Sequence, residues 1–336
     1  MNSIAFRRFA ALAEILTILI LGNVIGLSVY QAIVPADVSD GTASPAMLAA
    51  FEGLLILLRI GSAAVCGFAL LYYRRGVTPR KAGLTRNDQS LGSLVKTGLA
   101  LGIFTTIPIA LLFAAHAVVP FGEGLAAWWT YPEKEIDTAF WVGLLATSVL
   151  IPPLTEEIFT RGYQRTRLVE SYGVMGGVVL TGLVFAISHT RYLQADSMLL
   201  LFLLTIIISS VSWTYLAQKT GSVIPSMVAH AVTNGTATAI LFDVWIPLLL
   251  LLAAGVLLYR PISRTIAEFI RDWRGDVQKS SLWHGLIGIA FVVVPGLVLL
   301  PVLGRLPTLV GIGVVLMVFV VANVIVEKKE DWLGNR

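Results

Sequence analysis

Four polar side chains with catalytic chemistry lie in hydrophobic segments of this chain: Glu156, His189, His230 and Asn234. A carboxylate at the centre of a bilayer costs about 2.5–3.5 kcal/mol even on a lenient insertion scale, so intramembrane acids generally have a function. A carboxylate and two imidazoles can activate water for attack on a carbonyl group. These residue types predict a hydrolytic site inside a membrane.

The spacing of neighbouring residues assigns further roles. Glu157 and Arg161 are four residues apart with the acid nearer the amino end, which is the favourable order for an ion pair on a helix. We therefore interpret these two residues as structural supports and the neighbouring Glu156 as the reactive carboxylate. His230 and Asn234 are also four residues apart, so both side chains can project to one point.

Two chemical routes remain open from the sequence. In the first, His189 and His230 bind a divalent metal such as zinc, which lowers the pKa of a bound water while Glu156 takes its proton. In the second, Glu156 and His189 activate the water directly, and His230 with Asn234 stabilises the oxyanion. The His-Glu-x-x-His motif of many zinc proteases is absent from the sequence.

Residue counting indicates that these groups can meet. The polar break at 170–173 lies midway between Glu156 and His189. An antiparallel hairpin there places both residues roughly 25 Å from the turn. His230 and Asn234 lie roughly 14–20 Å along a helix that starts after the turn at 219–221. All four groups are therefore expected at similar depth.

The elements that position these residues are predicted to be membrane helices. Only 13% of the residues are charged and 57% are hydrophobic. A membrane helix needs about 20 apolar residues, and no segment alternates with the period of two expected of a barrel strand. We predict an all-α polytopic bundle of about ten membrane helices, with spans at 9–33, 48–73, 91–119, 138–160, 174–195, 197–217, 222–242, 244–259, 282–303 and 306–326.

The basic residues predict the orientation of the bundle. Twenty of the 24 lysines and arginines fall on or near one set of connections, three mark the other set and one lies within a span. Positive residues concentrate on the cytoplasmic side, so both termini are predicted to be cytoplasmic. This asymmetry accounts for the formal net charge of +4 without a nucleic-acid partner.

The polar cluster divides the chain into three parts. Amino-terminal helices occupy 1–137, the reactive core 138–245 and carboxy-terminal helices 246–336. Within the last part, 260–281 carries basic, acidic and apolar residues at helical spacing, which predicts either an amphipathic helix on the cytoplasmic leaflet or a solvated connecting helix. The single cysteine, Cys66, excludes an internal disulfide and a cysteine metal cluster.

The motifs resemble those of the CAAX prenyl protease and bacteriocin-processing family (CPBP, or Abi) of intramembrane proteases. The matching patterns are Glu-Glu-x-x-x-Arg at 156–161, Phe-x-x-x-His at 185–189 and His-x-x-x-Asn at 230–234. The resemblance covers roughly 138–245. It implies peptide-bond hydrolysis with Glu156 as general base, His189 as its partner or a metal ligand, and His230 and Asn234 as ligand or oxyanion donors.

The resemblance implies a membrane-embedded or lipid-modified peptide or protein substrate without identifying it. Eukaryotic members remove the last three residues of prenylated proteins, whereas prokaryotic members have varied substrates. We expect a multi-pass protein of a prokaryotic cell membrane, with its active site open to the cytoplasm.

The alternative is a non-enzymatic membrane protein that retains the motifs, either a proton-coupled transporter or an immunity or scaffold factor. Intramembrane carboxylates and histidines also serve as proton relays. A transporter would more naturally show two similar halves, whereas this sequence has one polar cluster and no internal repeat.

Overall fold

A computed structural model describes residues 3–119, 138–189, 196–241, 253, 256, 259–276, 281–303, 311–313, 315–317 and 320–321. Within these ranges the chain is helical and forms no strand, in agreement with the predicted all-α bundle. The α-helices are α1 (Ser3–Ile33), α2 (Ala36–Ser39), α3 (Pro45–Arg75), α4 (Leu91–Val118), α5 (Thr138–Leu145), α6 (Ile151–Glu157), α7 (Arg165–Tyr172), α8 (Val174–Ser188), α9 (Ser197–Thr220), α10 (Ile224–Leu241), α11 (Tyr259–Gly275) and α12 (Leu282–Leu303).

Five stretches of helix in the described part of the chain are long and apolar enough to cross a membrane: Ile4–Ile33, Pro45–Arg75, Leu91–His116, Phe140–Tyr172 and Ser197–Thr220. The helices α8, α10 and α12 coincide with three further predicted spans. The predicted spans 244–259 and 306–326 fall mostly outside the described residues. The total of ten spans and the side of the termini therefore stay predictions.

The segment that carries the two glutamates is a long helix interrupted by two π turns. The first, Ala146–Leu150, joins α5 to α6, and the second, Ile158–Gln164, joins α6 to α7. Pro152 and Pro153 stand near the start of α6, where a proline is tolerated best because the missing N–H is least needed. Such π turns are frequent at functional sites.

Glycines allow the helices around the predicted site to pack closely. A Cβ atom added to Gly98 of α4 would lie 2.5 Å from the carbonyl oxygen of Pro225 in α10. Small residues at such contacts let two helix backbones approach each other. The close approach brings the Thr105 hydroxyl of α4 within 3.2 Å of the Thr233 hydroxyl of α10. The helix that carries His230 is thereby fixed against α4.

The chain reverses direction between α7 and α8, as the hairpin prediction requires. Gly173 at the turn has a φ of 79°, a conformation that glycine adopts without strain. A Cβ atom at Gly177 would lie 2.5 Å from the backbone nitrogen of Val169, so α7 and α8 are in close contact. The hairpin brings the end of α8 back towards α6.

A buried ion pair attaches α1 to the glutamate-bearing segment. Glu14 of α1 accepts hydrogen bonds from Arg167 Nε at 3.1 Å and from the Tyr163 hydroxyl at 3.0 Å. All three side chains are buried. Buried charges require a partner, so these contacts fix α1 against α7 and the second π turn.

Replacing Glu14 with leucine should lower stability by about 3 kcal/mol because the buried Arg167 would then keep only a longer contact, of 3.8 Å, with the more exposed Glu170. The double variant Glu14→Leu with Arg167→Met should recover most of this loss. Tyr163 loses the same acceptor in both variants, so the comparison isolates the charge of Arg167. Thermal unfolding in detergent micelles measures the difference, and equal destabilisation of both variants would contradict the prediction.

Candidate active site

A cavity of about 150 Å³ lies within the bundle, bordered by α3, α4, α5, α6, α8, α9, α10 and the first π turn. The four residues predicted to be catalytic all line it: Glu156, His189, His230 and Asn234. Most of the remaining lining is apolar and includes Ile109 and Phe202. The structure therefore brings together side chains from three segments that are far apart in sequence.

Glu156 and His230 face each other in this cavity. The distance from Glu156 Oε2 to His230 Nε2 is 3.9 Å, and the Glu156 side chain is 15% exposed. Its Oε2 atom is buried and accepts no hydrogen bond from any residue in the described ranges. The Glu156 side chain is partly exposed and lines the cavity, so its carboxylate is placed to accept a proton or a hydrogen bond from a molecule there.

Glu157 is fully buried beside the cavity and uses one oxygen for two partners. Its Oε1 atom accepts from Arg161 Nη1 at 2.7 Å and lies 2.9 Å from His230 Nδ1. An ionised carboxylate can only accept, so the Nδ1 atom of His230 carries a proton. The predicted ion pair is present, and it also determines which nitrogen of His230 faces Glu156.

The guanidinium of Arg161 connects this pair to two further helices. Its Nη2 atom donates to the Ser210 hydroxyl of α9 at 2.6 Å and to the Ser210 carbonyl at 3.2 Å. The Cζ atom of the guanidinium lies over the Phe185 ring of α8, 4.5 Å from the ring centroid. A cation in a dry environment gains from both contacts, so Arg161 positions α8 and α9 around the site.

His189 ends α8 and is oriented by the last turn of that helix. Its Nδ1 atom lies 2.9 Å from the Phe185 carbonyl oxygen, and the two rings pack with centroids 4.7 Å apart. A carbonyl oxygen can only accept, so Nδ1 donates and the lone pair of the neutral ring is on Nε2. The Phe-x-x-x-His spacing thus places the two side chains in contact, because residues four apart are neighbours on a helix.

Asn234 is oriented by the Ser148 carbonyl group, which accepts no helical hydrogen bond from Pro152 or Pro153. Its Nδ2 atom donates to the Ser148 carbonyl oxygen at 2.9 Å. In a regular α-helix this oxygen would accept from residue 152, and in a π turn from residue 153, but both residues are prolines without an N–H. Ser148 is therefore available to a side chain from α10.

Residues 138–236 match the family described as type II CAAX prenyl endopeptidase Rce1-like. This match supports the CAAX prenyl protease family for the central segment. The match covers under a third of the chain and contains all six predicted catalytic and supporting residues. It supports a protease role. Comparison with curated proteins and with solved structures gives no match.

The two histidines of the matched segment have the chemistry of metal ligands. Each imidazole donates a hydrogen bond from Nδ1 to an oxygen, so Nε2 is the nitrogen that could bind a metal. Hydrogen bonds of this kind commonly orient metal-binding histidines. In the described part of the chain, no three histidine, cysteine, aspartate or glutamate side chains are close enough together to hold a metal ion. Among the described residues, His189 and His230 are therefore the two that would hold a metal at this site.

Two further residues at this cavity were not among the predicted site residues. Trp213 of α9 stacks on His230 with ring centroids 4.6 Å apart, and its Nε1 donates to Thr105 Oγ1 at 3.1 Å. Glu52 of α3 is a second carboxylate in the cavity lining. Neither lies at a helical spacing from a predicted site residue, so no local sequence signal indicates it.

The variant Glu157→Gln should lower stability by about 3–5 kcal/mol because it leaves the fully buried Arg161 without a counter-charge. The matched control is Asp88→Asn, which removes an acid from an exposed pair with Arg80 and should change stability by under about 1 kcal/mol. Thermal unfolding of both purified variants tests this difference. Similar unfolding temperatures for the two variants would show that the buried pair is dispensable.

Proposed function

We propose that this chain is an intramembrane endopeptidase that hydrolyses peptide bonds of membrane-embedded or lipid-modified peptides and proteins. One observation carries the proposal: Glu156 faces His230 in a cavity that His189 and Asn234 also line, inside the segment that matches a peptidase family. The apolar wall of that cavity suits substrates with apolar side chains.

In this mechanism Glu156 is the general base. Its carboxylate accepts a proton from water while the water oxygen bonds to the carbonyl carbon of the peptide, and the carbonyl oxygen becomes an oxyanion. The protonated Glu156 then donates to the amide nitrogen as the carbon–nitrogen bond breaks. The products are a carboxylic acid and an amine, and Glu156 returns to its ionised form. His189 serves as the partner that orients the attacking water.

His230 and Asn234 are the proposed oxyanion donors. The Asn234 amide has two hydrogens, and only one is needed for the Ser148 carbonyl. His230 holds its Nδ1 proton on Glu157, so it donates to the oxyanion through Nε2 when that nitrogen also carries a proton. Fixed donors at a developing oxyanion commonly contribute about 10²–10³-fold to the rate.

The metal-dependent route uses the same residues differently. A divalent ion such as zinc, when bound, would be held by the Nε2 atoms of His189 and His230 and would lower the pKa of a water molecule. Glu156 would still take the proton of that water. The side-chain geometry favours the metal-free route, because His230 Nε2 faces Glu156 and no third protein ligand from the described ranges is nearby.

We place this protein in a prokaryotic cell membrane with the basic ends of its helices in the cytoplasm, as the distribution of positive charge predicts. Access to the site from the cytoplasm stays a prediction. The cavity lining continues along α10 from His230 to Thr238, away from the basic connection at Lys219.

The variant Glu156→Gln should reduce cleavage by about 10²–10⁴-fold, because an amide cannot accept the water proton, and should leave the fold intact. The matched control is Glu52→Gln, which removes another carboxylate from the same cavity and should retain cleavage. Terminal peptides of membrane proteins are compared in cells that express each form.

Two results would contradict this assignment. Unchanged terminal peptides in cells expressing Glu156→Gln would remove Glu156 as the base. A cellular phenotype that survives both Glu156→Ala and His189→Ala would support the non-enzymatic alternative.

A strong zinc chelator should leave cleavage by the purified protein unchanged if Glu156 and His189 activate water directly. Once a substrate peptide is identified from the terminal peptides, its hydrolysis is measured before and after chelation. Loss of activity that returns on addition of zinc would support the metal-dependent route instead. Substrate without enzyme, with and without zinc, is the control.

A further inference from the structure

A second cavity lies on the other side of α9 from the catalytic residues. It has a volume of about 350 Å³ and is bordered by α4, α9 and the amphipathic helix α11. Its lining is mostly apolar and includes Leu101, Phe104, Ile208, Leu216, Ile262 and Phe269. We refer to it as the α11 groove. It shares no lining residue with the catalytic cavity.

The helix α11 is attached to the bundle through its acidic residues. Glu268 forms an ion pair with Lys219, and Asp272 accepts a hydrogen bond from the Tyr215 hydroxyl at 2.6 Å. Asp276, just beyond the helix, accepts from the Met175 backbone nitrogen at 2.9 Å. This bond satisfies one of the N–H groups left unpaired at the start of α8. The acidic groups near α11 are therefore directed to the protein.

The basic residues of α11 are exposed instead. Arg260, Arg264, Arg271 and Arg274 all have exposed side chains. Ile266 lines the groove and is exposed, and Ile270, one turn further along α11, is also exposed. A helix with an apolar side and exposed arginines is typical of one that lies at a membrane surface, where anionic headgroups attract the arginines.

We propose that the α11 groove binds an acyl chain of an anionic phospholipid, whose headgroup lies near the arginines of α11. The apolar lining matches the chain, and the exposed positive charge matches the headgroup. The occupant is a lipid of the surrounding leaflet rather than the lipid anchor of a substrate, because packed side chains separate the groove from the catalytic cavity. Leu101 and Leu216 line the groove and pack against Trp213, which lines the catalytic cavity.

Native mass spectrometry of the full-length protein tests this proposal. The protein is reconstituted in phosphatidylglycerol or phosphatidylcholine vesicles and extracted in mild detergent, and the lipid that remains bound is counted. Wild-type protein should retain phosphatidylglycerol in preference to phosphatidylcholine. Equal retention of the two lipids would overturn the proposed preference for an anionic headgroup.

A groove-filling variant tests the position of the acyl chain. Ile208→Trp places a large side chain in the groove and should reduce retained phosphatidylglycerol by about tenfold, because the lost burial of two methylene groups suffices for that change. The matched control is Leu204→Trp, which adds the same side chain one turn away on an exposed position outside the groove. Undiminished retention by Ile208→Trp would overturn the proposal.

A second pair of variants separates headgroup binding from general attraction to an anionic membrane. Arg260→Gln with Arg264→Gln removes the charges beside the groove residues Ile262 and Thr265, and should abolish the preference for phosphatidylglycerol. Arg271→Gln with Arg274→Gln removes equal charge beyond the groove and should retain the preference. Equal loss in both pairs would overturn a specific headgroup site. Because none of these variants touches Glu156, His189 or His230, cleavage activity is a separate measurement.

Discussion

The shared oxygen of Glu157 is the contact on which the arrangement of the site depends. An arginine buried in this bundle has no water to solvate it, so it requires an anionic partner and hydrogen-bond acceptors. Glu157 supplies the charge from α6, Ser210 supplies acceptors from α9, and Phe185 supplies a ring face from α8. The same carboxylate oxygen then binds His230 of α10. Four helices are thus held by one charge cluster.

This cluster also gives two adjacent glutamates opposite properties. Glu157 is enclosed and its charge is matched by Arg161, so it has little capacity to act on another molecule. Glu156 instead lines the cavity, and its side chain is partly exposed there. Consecutive residues on a helix differ in direction by about 100°, which is enough to separate a packed environment from an open one. The reactivity of the pair therefore follows from helix geometry.

The local parts of the site were predictable because they depend on helix periodicity. The Glu157–Arg161 pair, the His230–Asn234 spacing and the hairpin at 170–173 all follow from sequence distance, and the structure contains each of them. The stacking of Trp213 and the shared use of Glu157 were not predictable, since both depend on how α9 and α10 pack. The π turns also escaped prediction, because a helix that shifts from four-residue to five-residue hydrogen bonds keeps the same apolar composition.

The hydrogen bond between Asn234 and Ser148 fixes the orientation of the Asn234 side-chain amide. A side-chain amide can rotate by half a turn and exchange its oxygen for its nitrogen, which would replace a donor with an acceptor in the cavity wall. The Ser148 carbonyl admits only the nitrogen end, since it has no hydrogen to give. Any residue other than proline at 152 would bring a competing N–H and release this restraint. Pro152 of α6 therefore determines whether Asn234 of α10 offers the cavity a donor or an acceptor.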